Sequence, residues 1–423
     1  MKKLIDLAKK LYPINRSITG RGVIKTLKII KSDHLLKLKI KKIKSGKKVY
    51  DWKIPPEWNI KNAFIKDKYG KKIVDFKKNN LHVVSYSKKI KKYVNKNELN
   101  KHLFSIPKKP RAIPFVTSYY RPFWGFCISH QERKKIKGNK FYVQIDSSFN
   151  SKGHLCYGEL FLKGKSDKEI LFTTYICHPS MANNEISGPV VSTFIAKHFK
   201  NLKKRYSMRF IFVPETIGAI AYINNNLEKL KKNVIASYCL TCIGDERNYS
   251  IVLSKYKNSL SDVAALEATK KLKIKYKKYS FLSRGSDERQ FNSPGVEIPM
   301  TVLSRSKFYT YPEYHTSLDN FNIVTQRGLY GGYSFVKKTV DLIQDKIIPV
   351  SKFICEPMMS KRKLRSTTSS GFIKLDQMNI MNFISYSDGK NDLKKISELI
   401  NLPLNKVKKI YNFLLKKKLI KEL

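Results

Sequence analysis

The sequence predicts an α/β protein: a sheet flanked by helices, with a small β-rich insert and a compact helical unit at the C-terminus. Between residues 170 and 340, short apolar runs alternate with amphipathic stretches, which is typical of strands covered by helices. Residues 50–121 instead show short alternating strands and turns, and residues 372–423 have helical periodicity. A chain of 423 residues, 42% of them apolar, is long enough for these units and at least one large core.

The insert interrupts the α/β domain, which we expect to comprise residues 1–49 and 122–348. Adjacent Pro55 and Pro56 and the alternating run at residues 81–86 predict short antiparallel strands joined by turns. The β-rich insert is therefore assigned to residues 50–121.

Four apolar runs of the α/β domain are each followed by polar residues. These runs are residues 169–176, 208–213, 235–243 and 298–303. Functional residues in sheets of this kind collect where the strands end. The polar residues that follow these runs are therefore the first candidates for a site.

The C-terminal unit follows a polar, Ser/Thr-rich segment at residues 356–371, which is predicted to be a linker. Asp392 can cap a helix, and a tight turn at residues 401–403 leads to a second helix. The apolar residues of the two helices are Leu393, Ile396, Leu399 and Ile400, then Leu404, Val407, Ile410 and Leu414. This arrangement, residues 372–423, resembles a winged-helix domain, which either contacts DNA or docks a protein.

The net charge of +53 does not by itself indicate a nucleic-acid-binding protein. The 85 basic residues are 71 Lys and 14 Arg, whereas specific phosphate and base recognition favours the Arg fork. The last 75 residues carry 16 − 6 = +10, about 0.13 charge per residue, which matches the whole chain. We interpret the charge as spread over all solvated faces, where it gives only non-specific attraction to polyanions.

The chain is expected to be a cytoplasmic protein that does not enter a membrane. Its N-terminus lacks the apolar core of a signal peptide, and it has no run of about 18 apolar residues. The six cysteines lie in apolar segments and are predicted to be buried thiols of a reducing compartment. Self-association into a homo-oligomer is left open.

His178, Glu215, Asp245 and His315 stand out because they are polar residues placed after predicted strands or in the loop that follows. Each alone could serve as a cap or turn residue. Together they supply the imidazole and carboxylate ligands that suit zinc. A metal-bound water with a carboxylate beside it as base can hydrolyse an amide bond.

Seven short motifs occur along the chain: PEW at residues 56–58, WGF at 124–126, CHPS at 177–180, PETIG at 214–218, GD at 244–245, RGSDERQ at 284–290 and YHTS at 314–317. Through these motifs, in this order, the chain resembles a bacterial aminopeptidase-like family of unknown function found near polysaccharide-biosynthesis genes. The resemblance implies a mixed sheet similar to that of the zinc aminopeptidases, which hold a co-catalytic metal pair. It also implies a C-terminal winged helix.

The sequence departs from the metal-binding pattern that this resemblance implies. The bridging carboxylate falls on Asn184, so one zinc ion is expected rather than two, although Glu185 could partly replace it. If the family's motif is aligned on Gly218, Glu215 falls on the position of the base and Thr216 on that of the metal ligand. Without that alignment Glu215 is the ligand, and both assignments stay open. Asp245 and His315 fit ligand positions.

By the same resemblance, Arg284, Asp287, Glu288, Arg289 and Tyr314 contact the substrate. The alternative for the charged segment is an internal salt-bridge cluster.

Two functions follow from these observations. One is a metal-dependent hydrolase that cleaves an amide in a peptide, an amino acid conjugate or an acylated amino sugar, in surface polysaccharide biosynthesis. The other is a catalytically degenerate protein that binds a related ligand and signals through the winged helix.

Overall fold

The structure is a computed structural model that describes residues 2–33, 37–362 and 375–423. The chain forms two compact units, Met1–Val340 and Asp341–Leu423. Residues 363–371 of the predicted linker and residues 372–374 of the predicted C-terminal domain lie outside the described residues.

Strands and helices are numbered along the described chain. The strands are β1 (Lys39–Lys44), β2 (Lys48–Val49), β3 (Trp52–Lys53), β4 (Glu57–Lys66), β5 (Lys72–Asp75), β6 (Ile90–Asn95), β7 (Leu103–Phe104), β8 (Phe126–Cys127), β9 (Lys140–Asn150), β10 (His154–Leu162), β11 (Ser166–Tyr175), β12 (Tyr206–Val213), β13 (Val234–Leu240), β14 (Ser250–Val252), β15 (Lys277–Tyr279), β16 (Met300–Ser304), β17 (Pro349–Ser351) and β18 (Ile420–Glu422). The helices are α1 (Lys2–Leu11), α2 (Arg21–Asp33), α3 (Lys96–Lys101), α4 (His130–Lys134), α5 (Ser187–Phe199), α6 (Ile217–Asn233), α7 (Leu260–Leu272), α8 (Glu288–Phe291), α9 (Gln326–Gln344), α10 (Leu375–Ser385), α11 (Leu393–Leu399) and α12 (Leu404–Lys416).

The large unit is built on a mixed sheet with the strand order β1-β10-β12-β11-β13-β16-β14-β15. The central strands β12, β11, β13 and β16 run parallel, and antiparallel strands flank them on both sides. Helices α5 and α6 both pack against β11. Because helices cover these strands, the strands are nearly continuous apolar runs, and every residue of β12 is buried. The α/β sheet flanked by helices is as the sequence predicts.

Aromatic rings fill the centre of this sheet. The ring of Phe172 on β11 stacks on Phe210 of β12 at 4.7 Å between centroids, and on Tyr238 of β13 at 5.7 Å. All three side chains are fully buried. This packing fixes the neighbouring strands, whose carboxyl ends carry the site described below.

A second, antiparallel sheet has the order β5-β4-β9-β6. Its strand β9 lies outside residues 50–121, in the part of the chain that we assigned to the α/β domain. Strand β9 pairs with β4 along most of its length, so that Ala63 and Ile65 share a core with Val143 and Ile145. Alternation along a strand reveals its buried face but not its partner, which is why the sequence did not link β9 to the insert.

The small unit has helices α10, α11 and α12 and an antiparallel pair formed by β17 and β18. The Asp392 side chain accepts a hydrogen bond from the Lys395 backbone N–H, which confirms the predicted helix cap. Ile396, Val407 and Leu414, taken from the two predicted apolar faces, are buried in one core.

Two further expectations can be compared with the structure. No helix in the described ranges is long and apolar enough to span a membrane. Five cysteines are buried as predicted, but Cys355 is exposed, so the prediction was wrong for that residue. Cys355 lies in an irregular segment after β17 rather than in a strand.

Candidate functional site

A pocket of about 480 Å³ opens where β11 and β12 end in the large unit. Its wall combines aromatic side chains from the insert region with polar side chains that follow the two strands. The lining residues are Ile18, Trp52, Phe115, Thr117, Tyr119, Tyr120, Cys177, His178, Glu215, Thr216, Ile217, Arg289 and His315. The volume lies within the range of small-molecule sites.

His178 follows β11 and is held between two carboxylates. Its Nδ1 lies 2.8 Å from Oε2 of Glu185, and its Nε2 lies 3.6 Å from Oε2 of Glu215. The side chain is 5% exposed, and burial, aided by the charge of Arg16, lowers its pKa to about 3. The imidazole is therefore neutral, and we assign its proton to Nδ1, which donates to Glu185. Nε2 then presents a lone pair toward Glu215.

Glu185 lies in a single π-helical turn, Ala182–Ile186, and is paired with a buried arginine. Nε of Arg16 is 3.3 Å from Oε1 of Glu185, and both side chains are 0% exposed. Burial raises the pKa of Glu185, and the Arg16 guanidinium and a hydrogen bond from the His178 backbone oppose that rise. The sequence offered no sign of Arg16, because it lies in an irregular segment between α1 and α2.

His315 brings a second imidazole to the pocket from the loop after β16. Its ring centroid is 5.4 Å from that of His178, and the ring of Tyr314 stacks on it at 4.0 Å. Burial and the nearby His178 lower its pKa to about 3, so it too is neutral. Its Nε2 is buried with no hydrogen-bond partner among the described residues. The backbone of His315 has φ = 55°, a strained value for a residue with a side chain.

Glu215 and Thr216 follow β12 in a second strained turn. Thr216 has φ = 63°, and the Ile217 N–H donates to the Glu215 carbonyl at 2.8 Å. The Glu215 side chain is 20% exposed. Burial, reinforced by the charge of Asp287, raises its pKa to about 8.

The residues from Arg284 to Arg289 do not share one role: some are buried in an internal network, as in the salt-bridge alternative, and one lines the pocket, as expected for substrate contact. Asp287 and Glu288 are buried and accept backbone hydrogen bonds, including one from the Thr216 N–H to Asp287 Oδ1 at 2.9 Å. Arg289 lines the pocket and donates to the Thr216 hydroxyl at 2.8 Å. Arg284 is exposed, with its guanidinium over the Phe281 ring. Tyr314 supports His315 and is not among the residues that line the pocket.

Asp245 is not brought to the pocket. Its Oδ2 accepts from Asn183 Nδ2 at 2.8 Å and from the Ser306 N–H at 2.9 Å, and its Oδ1 accepts from the Ser306 hydroxyl and the Arg247 N–H. Four donors fill both oxygens, so the carboxylate fixes the loop. Because β13 ends at Leu240, the residue directly after this strand is Thr241.

Asn184 contacts the hydroxyls of Tyr175 and Thr241, and its backbone N–H donates to Oδ2 of the buried Asp319 at 3.0 Å. Its Nδ2 donates to the Tyr175 hydroxyl at 2.6 Å, and its Oδ1 is buried without a hydrogen-bond partner in the described structure. The Thr241 hydroxyl contacts that of Tyr175 and donates to the Asn184 carbonyl. An amide side chain bonded to a hydroxyl therefore occupies the position where the family resemblance implies a bridging carboxylate, and the Asp319 carboxylate binds the backbone of the same turn.

Two groups of side chains in the described ranges carry the donor types that a metal ion needs. Cys177, His178 and Glu185 offer donor atoms within 4.8 Å of one another, all of them buried. His178 Nε2, Glu215 and His315 form the second group, on the pocket wall. Two ligands of tetrahedral zinc lie roughly 3.3–3.6 Å apart, which matches the contact between His178 and Glu215, and the unpartnered Nε2 of His315 is a third donor on the same wall. The second group therefore has the donor types that suit one zinc ion, although its three donor atoms are more widely spaced than those of the first group.

Comparison with known proteins adds the family context. A family model described as "Domain of unknown function (DUF4910)" matches residues 5–346, and one described as "winged helix-turn-helix" matches residues 347–422. A Clostridium acetobutylicum protein named "Putative polysaccharide biosynthesis protein with aminopeptidase-like domain" is 38% identical over 421 residues, covering 99% of this chain and 96% of that protein.

Two solved structures are similar to this chain. The crystal structure of a putative peptidase from C. acetobutylicum matches with a TM-score of 0.82 at 37% identity, covering 100% of this chain and 96% of that one. BSAP, a zinc aminopeptidase from Bacillus subtilis, matches with a TM-score of 0.57 at 14% identity, covering 81% and 95%. At that identity the second match shows a likeness of fold.

Proposed function

Because the chain belongs to the DUF4910 family and joins an aminopeptidase-like fold to a winged-helix domain, we propose that it is a metal-dependent hydrolase of aminopeptidase type. One observation carries the proposal: two imidazoles and a carboxylate line one pocket, with His178 and Glu215 after the adjacent strands β11 and β12 and His315 in the loop after β16. The scissile bond would be an amide in a peptide, an amino acid conjugate or an acylated amino sugar. The name of the C. acetobutylicum relative favours a role in polysaccharide biosynthesis.

His178, Glu215 and His315 would hold one zinc ion, with Glu215 as a ligand, the second of the two roles that the sequence left open. Bound there, the ion would lower the pKa of a water molecule and polarise the amide carbonyl. Glu185 keeps the proton of His178 on Nδ1 and fixes the ring, as carboxylates behind metal-binding histidines do.

The pocket wall supports binding of a substrate with an apolar face and a polar end. Phe115, Tyr119 and Tyr120 form an aromatic side against which a side chain or a sugar ring would pack. Arg289 reaches the same pocket and would bind a carbonyl or carboxylate of the substrate. Arg289 is also held by Thr216, so it would position the substrate relative to Glu215.

Metal content tests the proposal. We expect the wild-type protein, loaded with zinc and then desalted, to retain about one equivalent, and His178→Ala and His315→Ala each to retain less than about a tenth. His154→Ala is the matched control, because this histidine begins β10 and does not line the pocket, and it should retain the metal.

A wild-type protein that retains less than roughly a tenth of an equivalent of zinc, manganese or iron after supplementation would overturn the hydrolase proposal. With metal bound, a panel of aminoacyl anilides and N-acylated amino sugars should be hydrolysed, and a chelator should abolish that hydrolysis.

The second candidate function is a ligand-binding protein without turnover. The neutral side chain of Asn184 favours it, because the bridging carboxylate that the family resemblance implies at this position is missing. A protein that binds metal and an amino-sugar ligand but hydrolyses no member of the panel would support this candidate over the enzyme.

A further inference from the structure

Arg16 is a buried cation beside the proposed metal site. Its Nε lies 3.3 Å from Oε1 of Glu185 and donates to the His178 carbonyl at 3.0 Å. Its NH1 donates to the Leu11 carbonyl at 2.7 Å, which anchors the guanidinium at the end of α1. The side chain thus contacts both the backbone of His178 and the carboxylate that orients the imidazole.

We propose that Arg16 is the resident cation of this site: it fixes Glu185 behind His178 and confines the divalent ion to the pocket side of the imidazole. This inference rests on the proposed function and makes Arg16 a positioning residue. It also chooses between the two groups of donors that could hold an ion.

Arg16 disfavours binding of a metal ion by the buried group of Cys177, His178 and Glu185. An ion bound to Glu185 there would lie close to the guanidinium, and like charges in contact repel strongly inside a protein. The Cys177 sulfur already accepts a hydrogen bond from the Glu215 N–H at 3.2 Å. On the pocket side, by contrast, Nε2 of His178 faces the Glu215 carboxylate.

Removal of Arg16 would leave Glu185 without the cation that compensates its charge in the interior. A buried carboxylate whose cation is removed is strongly destabilised, so it would reorient and release His178. The matched control is Arg209, which is also buried and forms ion pairs with Glu159 and Glu169 but does not line the pocket.

The test combines zinc affinity with the spectrum of the cobalt-substituted protein. Competition with a chromophoric chelator should show zinc binding at least about tenfold weaker in Arg16→Gln than in wild type. The zinc affinity of Arg16→Lys should lie between those of the wild type and Arg16→Gln, because lysine keeps the charge but lacks the several N–H donors of the guanidinium. Arg209→Gln should bind zinc as the wild type does. Wild-type protein loaded with one cobalt ion should lack a thiolate-to-cobalt charge-transfer band.

A charge-transfer band in the wild type would place the ion on Cys177 and overturn the inference while leaving a metal site in the protein. Equal zinc affinity of Arg16→Gln and wild type would overturn it as well. A wild type that binds no metal would instead overturn the proposed function, and this inference with it. If Arg16→Gln does not fold, the cobalt spectrum and the Arg16→Lys affinity still decide the question.

Discussion

At Asn184 a neutral amide stands where a metal-bridging carboxylate was expected. Its neighbours, the hydroxyls of Tyr175 and Thr241, are also uncharged, and its Oδ1 has no hydrogen-bond partner in the described residues. Arg16, Glu185 and Glu215 surround His178, whereas the Asp319 carboxylate accepts the backbone N–H groups of Asn183 and Asn184. The buried guanidinium therefore lies on the His178 side, and the Asn184 side chain lies among neutral hydroxyls with a carboxylate bound to its backbone.

This arrangement predicts the outcome of Asn184→Asp. A new carboxylate buried among neutral hydroxyls, on a residue whose backbone already binds Asp319, lacks a compensating cation, so the free energy of unfolding should fall by roughly 3 kcal/mol, measured by urea denaturation. Bound zinc should stay near one equivalent. Asn225→Asp, on the exposed face of α6 beside Lys47, is the control and should change stability by less than about 0.5 kcal/mol. A second equivalent of zinc in Asn184→Asp would show that this side is a metal site lost by one substitution.

Among the elements, the turns after strands β12 and β16 carry the strain of the site. Thr216 and His315 both adopt positive φ, and each is held by neighbours that do not line the pocket. Asp287 accepts the Thr216 N–H, and the ring of Tyr314 stacks on His315. Strain of this kind persists only where the surroundings enforce it, so these neighbours determine where Glu215 and His315 point.

Asp287→Ala should therefore weaken zinc binding although Asp287 does not line the pocket. Loss of the acceptor lets the Thr216 turn relax and displaces Glu215, and we expect the dissociation constant for zinc to rise about tenfold. Asp262→Ala is the matched control: Asp262 is equally buried, and it accepts hydrogen bonds from Ser254 and Thr301. Both variants should lose stability, but unchanged zinc affinity in Asp287→Ala would argue against the strained turn as a positioning device.

The ends of the strands also explain which site residues could be predicted from the sequence. Apolar runs located His178 and Glu215 after β11 and β12, because a buried strand ends where its apolar pattern ends. The same reasoning placed Asp245 after a run ending at residue 243, whereas β13 ends at Leu240 and Ile243 is buried in the loop. A buried loop residue continues the apolar pattern of a strand, so the pattern alone cannot mark the end of the strand.

The periodicity of apolar residues does not predict contacts between segments that are far apart in the sequence. Arg16 meets Glu185 across 169 residues of sequence, and β9 pairs with β4 although even the paired residues Lys66 and Tyr142 are 76 residues apart. No local pattern encodes either partner, because an ion pair or a strand pairing is set by the folded topology. The order of the motifs was informative nonetheless, since it led to the aminopeptidase-like fold and the winged helix.

For the molecule as a whole, the net charge of +53 raises the question whether the basic residues are concentrated on one DNA-binding face. Helix α12 of the winged-helix domain exposes Lys406, Lys408 and Lys409, which is a basic face at the position of a DNA-reading helix. Yet lysines such as Lys88 and Lys89 of the large unit are equally exposed. Because the C-terminal 75 residues carry about the same charge per residue as the whole chain, we expect DNA to be attracted by many surfaces at once.

Salt dependence separates this expectation from a dedicated DNA contact. A lysine that contacts DNA phosphate in a fixed complex contributes about 0.9 to the slope of log affinity against log salt concentration. We expect the double variants Lys406→Gln/Lys409→Gln and Lys88→Gln/Lys89→Gln to reduce the slope by similar amounts, each well below that value per lysine, and unrelated DNA sequences to bind alike. Loss of nearly two units of slope in the α12 variant alone would instead identify the winged helix as a specific DNA-binding element, since only a fixed contact concentrates the effect on one face.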